Sequence, residues 1–308
     1  MKRGQSAARI AAVAAVCVMV QHSLADEAGG VITMEAGEPF LERDRHPPCE
    51  ATNLVGEVRK WVSVSAFADI ETAYLARGAV VDKRPYSAQF ADMEFLMGDF
   101  GHVGGSAWSA SSFSNKGQAE SRRYAYNEVD YNLHYVYDWQ IAEDWTLENR
   151  AARQWVTFPG YSGSHTVCEW QAAQALHNPY VTPYYLYRHA CRPRDWNYWC
   201  VGLRRSFDLT EDLSLTVDAF SDIGDHRTFV SLYGRKPGKP SSRYHGGAQT
   251  VNLMLRLDYR LNEYLRVFAF VWQYDLVSQD AREAVKESSA PEAKRDITVG
   301  GVGIALNF

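Results

Sequence analysis

Residues 124–140 read YAYNEVDYNLHYVYDWQ. From position 128 the even residues include Glu128, Asp130, Asn132, His134 and Asp138, while the odd ones are Val129, Tyr131, Leu133, Tyr135, Tyr137 and Trp139. A strand sends alternate side chains to opposite faces, so this stretch builds one apolar wall and one polar wall. On a helix the same charges would fall on the apolar stripe. Residues 250–260, TVNLMLRLDYR, repeat the pattern: Val251, Leu253, Leu255, Leu257 and Tyr259 alternate with Thr250, Asn252, Arg256, Asp258 and Arg260. Residues 213–219 do so again, with Leu213, Leu215, Val217 and Ala219 set against Ser214, Thr216 and Asp218.

Working outward, segments with this period lie at about 61–75, 86–98, 101–115, 123–140, 145–157, 168–178, 180–191, 196–208, 212–222, 247–260, 264–277 and 296–308. The connections between them sort by length. Gly98-Asp99-Phe100-Gly101, Glu143-Asp144, Asn178-Pro179, Thr210-Glu211-Asp212 and Asn262-Glu263 are tight and built of turn formers. The alternate connections, at 76–85, 116–122, 158–167, 192–195, 223–246 and 278–295, are mostly longer. A soluble β-sandwich has no reason to sort its loops this way. A transmembrane barrel does, with short periplasmic turns and longer extracellular loops. The expected fold is all-β: a single antiparallel up-and-down barrel of about twelve strands over residues 61–308.

The composition agrees. The 308 residues carry 37 acidic and 32 basic side chains, a formal net charge of −5. That balance excludes a basic nucleic-acid binder and a highly charged disordered chain. Mean hydropathy is −0.34, and beyond residue 25 no apolar run is long enough for a transmembrane helix. Residues 1–25 read as a signal peptide. Lys2, Arg3 and Arg9 precede the apolar stretch Ile10–Val20, and Ser23-Leu24-Ala25 supplies small residues before Asp26. The competing reading, a membrane anchor, needs a longer apolar segment. Losing those three cations from the 32 basic residues leaves 29 against 37 acidic ones, a net charge of −8. Residues 26–60 show no periodicity and read as an irregular arm, either hanging in the periplasm or entering the lumen as a partial plug.

In the last segment Val302, Ile304, Leu306 and Phe308 share one face. An apolar final strand closed by an aromatic residue resembles the assembly signal of Gram-negative outer-membrane β-barrel proteins. Over residues 61–308 the chain is similar in architecture to twelve-stranded porin-like proteins, such as nucleoside- and oligosaccharide-selective channels. That resemblance implies an outer-membrane location, contact with outer-membrane lipid and lipopolysaccharide, and insertion by the barrel-assembly machinery. It implies passive diffusion of small polar solutes, with no catalysis and no cofactor. No family binding motif is matched, so no binding residue carries over.

Twelve tilted strands enclose a backbone cylinder of roughly 24 Å. Alternation turns Glu128, Asp130, Arg256, Asp258 and Arg260 inward, and likewise His134, Asp69, Glu71, Asp92, Glu94, Glu148, Arg150, Arg204 and Asp218. Acids and bases together line either a polar path or an interior sealed by their own pairing. Aromatic belts are expected at the membrane interfaces. Trp61, Trp139, Trp145, Tyr180, Tyr259, Tyr264 and Phe308 fall at the periplasmic ends, and Trp155, Phe158, Trp196, Trp199 and Tyr274 at the outer ends.

Without Cys17, an even set remains: Cys49, Cys168, Cys191 and Cys200. A hairpin turning at Asn178–Val181 sets Cys168 opposite Cys191, a disulfide candidate, with Cys191–Cys200 as a rival pair. No metal-binding motif joins these cysteines to a histidine. Arg227, Arg235, Lys236, Lys239 and Arg243 against Asp225 make 223–246 a basic loop, either a contact for anionic lipopolysaccharide or a solvated surface. Residues 278–295 suit a short surface helix before Pro291. Two alternatives to a channel stand: a non-conducting structural or receptor barrel, and a lipid hydrolase using Ser162 or Ser164 with His165. No orienting third group is evident for the hydrolase.

Overall fold

Twelve strands form a ring in which neighbours in sequence are neighbours in space. They are β1 (Val62–Glu71), β2 (Tyr86–Leu96), β3 (His102–Ser112), β4 (Glu128–Ala142), β5 (Trp145–Thr157), β6 (Thr166–His177), β7 (Thr182–Ala190), β8 (Asn197–Asp208), β9 (Leu213–Gly224), β10 (Thr250–Arg260), β11 (Leu265–Leu276) and β12 (Asp296–Asn307). Each pairs antiparallel with the next, and β12 returns to β1 with Gly301 opposite Glu71 and Asn307 opposite Ser65. At that seam the Phe308 N–H donates to the Val64 carbonyl at 2.7 Å, and the Val64 N–H donates to the Phe308 carbonyl at 2.9 Å. A closed ring leaves no edge strand, so every strand finds a ladder partner. The computed structural model describes residues 34–35, 38–39, 61–76, 79–82, 85–113, 128–157, 166–191, 195–233, 245–287 and 296–308. Residues 1–25, expected to be a signal peptide, most of the 26–60 arm, Phe158, Ser162, Ser164, His165 and most of the basic loop lie outside them.

The expected strands and the observed ones agree closely, down to both ends of β5. The first and tenth strands depart from expectation in kind. The first strand stops at Glu71, after which Tyr74–Ala76 pairs with Ala79–Asp82 as a separate ribbon. The tenth is broken at Gln249, leaving Gly247–Ala248 apart from β10. The short connections 97–101, 143–144, 178–181, 209–212 and 261–264 all lie at one end of the barrel. Their side chains explain their tightness. Asn178 Oδ1 accepts the N–H groups of Tyr180 and Val181 at 2.9 and 3.1 Å, and Asn262 Oδ1 accepts those of Tyr264 and Leu265 at 2.9 Å each. The other end carries the longer connections and, among the described residues, the helices α1 (His226–Tyr233) and α2 (Gln279–Glu287), the latter inside the 278–295 stretch expected to be helical.

The barrel is inverted relative to a soluble protein. Leu133 is 59% exposed and Val302 59%, and Tyr131, Tyr135, Leu255, Leu257, Ile304 and Leu306 are exposed beside them. Their alternates Asp130, Asn132, His134, Arg256 and Asp258 are buried. Water disfavours a continuous apolar outer wall, and hydrocarbon requires one. Trp61, Trp139, Trp145, Tyr180 and Tyr259 stand exposed at the short-turn end, and the Tyr264 and Phe308 rings stack there at 6.1 Å. Two expected belt residues do not belong to a belt. Trp196 and Tyr274 are buried inside. Tyr274 pairs in register with Asn252, which also points inward, so the alternation of β11 overrides its position near the rim.

Candidate functional site

The inner wall has two halves of different chemistry. From β4 to β10 it is polar. From β11 through β12 to β3 it is largely aromatic, with Phe268, Phe270, Trp272, Phe67, Phe90 and Trp108 all buried. Alternation in β11 explains the second half, because its even positions 268 to 276 are all apolar. The glycines of β12 make room for those rings. A Cβ on Gly301 would meet the Phe270 ring at 2.4 Å, and one on Gly303 would meet Phe268 at 2.4 Å and the Ala68 carbonyl at 2.7 Å. Phe268 thereby reaches Phe67 across the seam, ring centres 6.4 Å apart.

The polar half is a hydrogen-bonded lattice across successive strands. Asn132 Nδ2 donates to Gln171 Oε1 at 3.4 Å, Gln171 donates to Gln154, and Gln154 Nε2 donates to Asp130 Oδ2 at 2.8 Å. Arg188 Nη1 donates to Gln154 Oε1 at 2.5 Å and faces Glu169 Oε2 at 3.4 Å. Arg204 pairs with Asp218, which also accepts the Tyr184 hydroxyl at 2.9 Å. Asp222 accepts the hydroxyls of Tyr198 and Thr250 and, at 3.0 Å, Asn252 Nδ2. Trp272 Nε1 closes the chain onto Asn252 Oδ1 at 3.0 Å. Burying ions is tolerable only when their bonds are made within the protein, and this lattice makes them side chain to side chain.

Several of the residues singled out from the sequence sit in this wall. Arg204 and Asp218 meet, and Arg256 grips Asp258 through Nε at 2.8 Å and Nη2 at 2.6 Å while lying 4.0 Å over the Phe268 ring. Asp130 joins the amide relay, and Glu128 Oε2 accepts the Tyr74 hydroxyl at 2.5 Å. His134 Nε2 lies 2.9 Å from Glu94 Oε1, and Glu148 lies 3.3 Å from His177. Asp69 Oδ1 accepts the Ala88 N–H at 3.3 Å, and Glu71 is buried beside it. Arg150 is half-buried on the same face of β5. Arg260 stands apart: it pairs with Asp212 at 3.1 Å on the short-turn rim, where both are about half exposed. Alternation aims Arg260 inward, but its place at the strand's end puts its head in the rim.

Glu169, Arg188 and Asp222 were missed, as were Tyr184, which donates to Asp218, and Tyr198, which donates to Asp222. In β7 the sequence TPYYLYRHA is apolar or aromatic on both faces, which hides the phase of Arg188. In β6 the signal was readable, since Glu169 and Gln171 alternate with Trp170 and Ala172.

Cys168 and Cys191 are brought together. The Glu169–Ala190 pairing realises the expected register, and the Cys191 N–H donates to the Cys168 carbonyl at 2.7 Å. Both are free thiols, as is Cys200, which is buried inside. Cys49 lies outside the described residues.

No protein-family model matches the chain, and no curated protein matches it in sequence. Among solved structures, the chain is similar to the NanC porin at 7% identity and a TM-score of 0.47, over 80% of this chain and 100% of that one. It is similar to an outer-membrane channel from Pseudomonas putida F1 at 9% identity and a TM-score of 0.46, over 92% and 100%. It is similar also to the outer membrane phospholipase A from Escherichia coli, at 13% identity and a TM-score of 0.43, over 80% and 92%. These likenesses identify neither a solute nor a reaction.

Proposed function

We propose that this chain is an outer-membrane channel for passive diffusion of small polar solutes. The observation that carries the reading is the inversion of the barrel, with an apolar outer wall around an interior of bonded ions and amides. Hydrocarbon demands the first. The second gives a polar solute partners to exchange for its lost water. Twelve strands fall between eight-stranded barrels, filled by their own side chains, and sixteen-stranded ones with a wide aqueous bore. Arg188 with Glu169 and Arg204 with Asp218 set opposite charges on one wall. Such a wall orients a dipolar or zwitterionic solute and slows simple ions. In this reading the short turns face the periplasm, the long loops face outward, and residues 1–25 direct export.

One observation favours a second reading. Arg188 is 1% exposed and Arg204 2%, so the lattice leaves little free surface on its own cations. That suits a barrel closed at rest, acting through its long-loop end as a receptor or structural element.

Single-channel recording of the refolded mature chain in a planar bilayer, under a salt gradient, separates the two. Resolved steps are expected, and their reversal potential reads which sign of charge dominates the path. Silence from protein whose heat-modifiable mobility shows it folded would overturn the channel and leave the closed barrel.

A further inference from the structure

We propose that Asp92, Glu94 and His134, with His102 beside them, bind one divalent transition-metal ion such as Zn2+ on the inner wall of the barrel. Three adjacent strands build the site. Glu94 on β2, Gly104 on β3 and His134 on β4 are successive partners in register, so they form one row across the wall. The middle position of that row is a glycine, and a Cβ there would meet His134 Nε2 at 2.7 Å and Glu94 Cγ at 2.8 Å. The two flanking side chains therefore meet over a strand that any larger residue would fill. Asp92 lies in the next row on the same face, opposite Ser106, and His102 lies one row toward the short turn.

The distances suit a shared ion. His134 Nε2 is 2.9 Å from Glu94 Oε1 and 3.7 Å from Asp92 Oδ1, and His102 Nδ1 is 3.7 Å from Glu94 Oε2. One donor atom from each of Asp92, Glu94 and His134 falls within 4.8 Å of the other two. Donors at about 2.1 Å from a tetrahedral ion stand about 3.4 Å apart, so small rotations of these side chains complete the shell. The donor set also selects the ion. Imidazole nitrogens with carboxylate oxygens suit Zn2+ and its transition-metal neighbours, whereas Mg2+ and Ca2+ take oxygen sets. A simple hydrogen bond accounts for Glu94 and His134. It does not account for a second carboxylate and a second imidazole converging on them. Here the facing groups include two imidazoles, which in their neutral form are metal ligands. An ion held between β2 and β4 would staple three strands near the short-turn mouth.

The test is calorimetric titration of Zn2+ into the refolded mature chain, free of any affinity tag, with Co2+ absorption to read the ligand geometry. One Zn2+ per barrel is expected, with the visible bands of low-coordinate Co2+. His134→Gln and Asp92→Asn should each weaken binding by at least about tenfold. His177→Gln, on the same wall beside Glu148, should leave it unchanged. Unaltered affinity in both site variants, no saturable binding, or displacement of Zn2+ by equimolar Ca2+ would each overturn the proposal. Asp92→Asn preserves size at a half-buried position and keeps the test usable if His134→Gln fails to fold. The titration does not depend on whether the barrel conducts.

Discussion

Arg204 on β8 and Asp218 on β9 stand directly opposite each other in the ladder and close an ion pair inside the barrel. Each is buried, and Arg204 also lies 5.0 Å over the ring of Tyr184, whose hydroxyl shares Asp218. Removing one partner leaves the other as a buried charge. We expect Arg204→Met to cost about 3–5 kcal/mol, and Arg204→Met with Asp218→Asn to recover part of it. Urea unfolding in lipid vesicles reads both. Equal losses in the single and double variants would mean that the pair is not what holds β8 to β9.

The packing of β11 onto β1 across β12 depends on Gly303 lying beneath Phe268. A Cβ there would press on the ring at 2.4 Å and on the Ala68 backbone at 2.7 Å, and a backbone atom cannot swing away. Gly303→Val should destabilise the folded barrel by about 1–3 kcal/mol or more. The readout is a lower urea midpoint. A neutral substitution would show that the seam is looser than these contacts imply.

The outer wall gives a sharper test of membrane exposure. Leu133 is more than half exposed near the middle of β4. In water, Leu133→Arg would be nearly free. In a bilayer it should cost about 2–4 kcal/mol. Comparing unfolding in vesicles of Leu133→Arg and Leu209→Arg, the second at an exposed leucine in a short turn, separates the two environments.

Cys168 and Cys191 occupy a hydrogen-bonded antiparallel pair, for which a Cα separation near 5.5 Å is ordinary and within disulfide reach. Under oxidising conditions we expect a Cys168–Cys191 bond, detected by peptide mapping without reduction. Cys200, buried inside, should alkylate only after unfolding. If both rim thiols alkylate in oxidised, folded protein, the bond does not form.

Asp225 precedes α1 at the long-loop end. Burial pushes its carboxyl up. The N–H of Thr228 at 2.8 Å, the amide of Asn197 and the hydroxyl of Thr228 at 2.9 Å each, and the Asn197 N–H at 2.9 Å outweigh that and hold it below the ordinary carboxylate range. A carboxyl depressed on folding stabilises at pH above its unfolded value, about 3.9, and that contribution is lost as pH falls through the folded value. Amide exchange at Thr228 and Phe229, corrected for intrinsic rate, should therefore lose protection only in strong acid. Asp225→Asn should remove the pH dependence, and persistence of that dependence would assign it to another group.

The strand count, the alternation of the two walls, the sorted connections and the Cys168–Cys191 register were all readable from the chain. Each rests on a local rule. A strand repeats every two residues, Asn178 and Asn262 bond the backbone two and three residues ahead, and a tight hairpin pairs positions of constant sum. Such rules also place Asp130, Asp218 and Arg256 on the inner face. They do not say which inner groups meet. Arg188 finds Glu169 and Gln154, Phe268 finds Phe67, and His134 finds Glu94 only because the ring closes with one particular stagger between its strands. Closure also buries Trp196, expected in an aromatic belt from its place near the rim, and encloses Tyr274, which the alternation of β11 already turns inward. Stagger is a property of all twelve pairings at once. Tertiary structure alone decides the chemistry of the inner wall, because its contacts join residues that no local period relates.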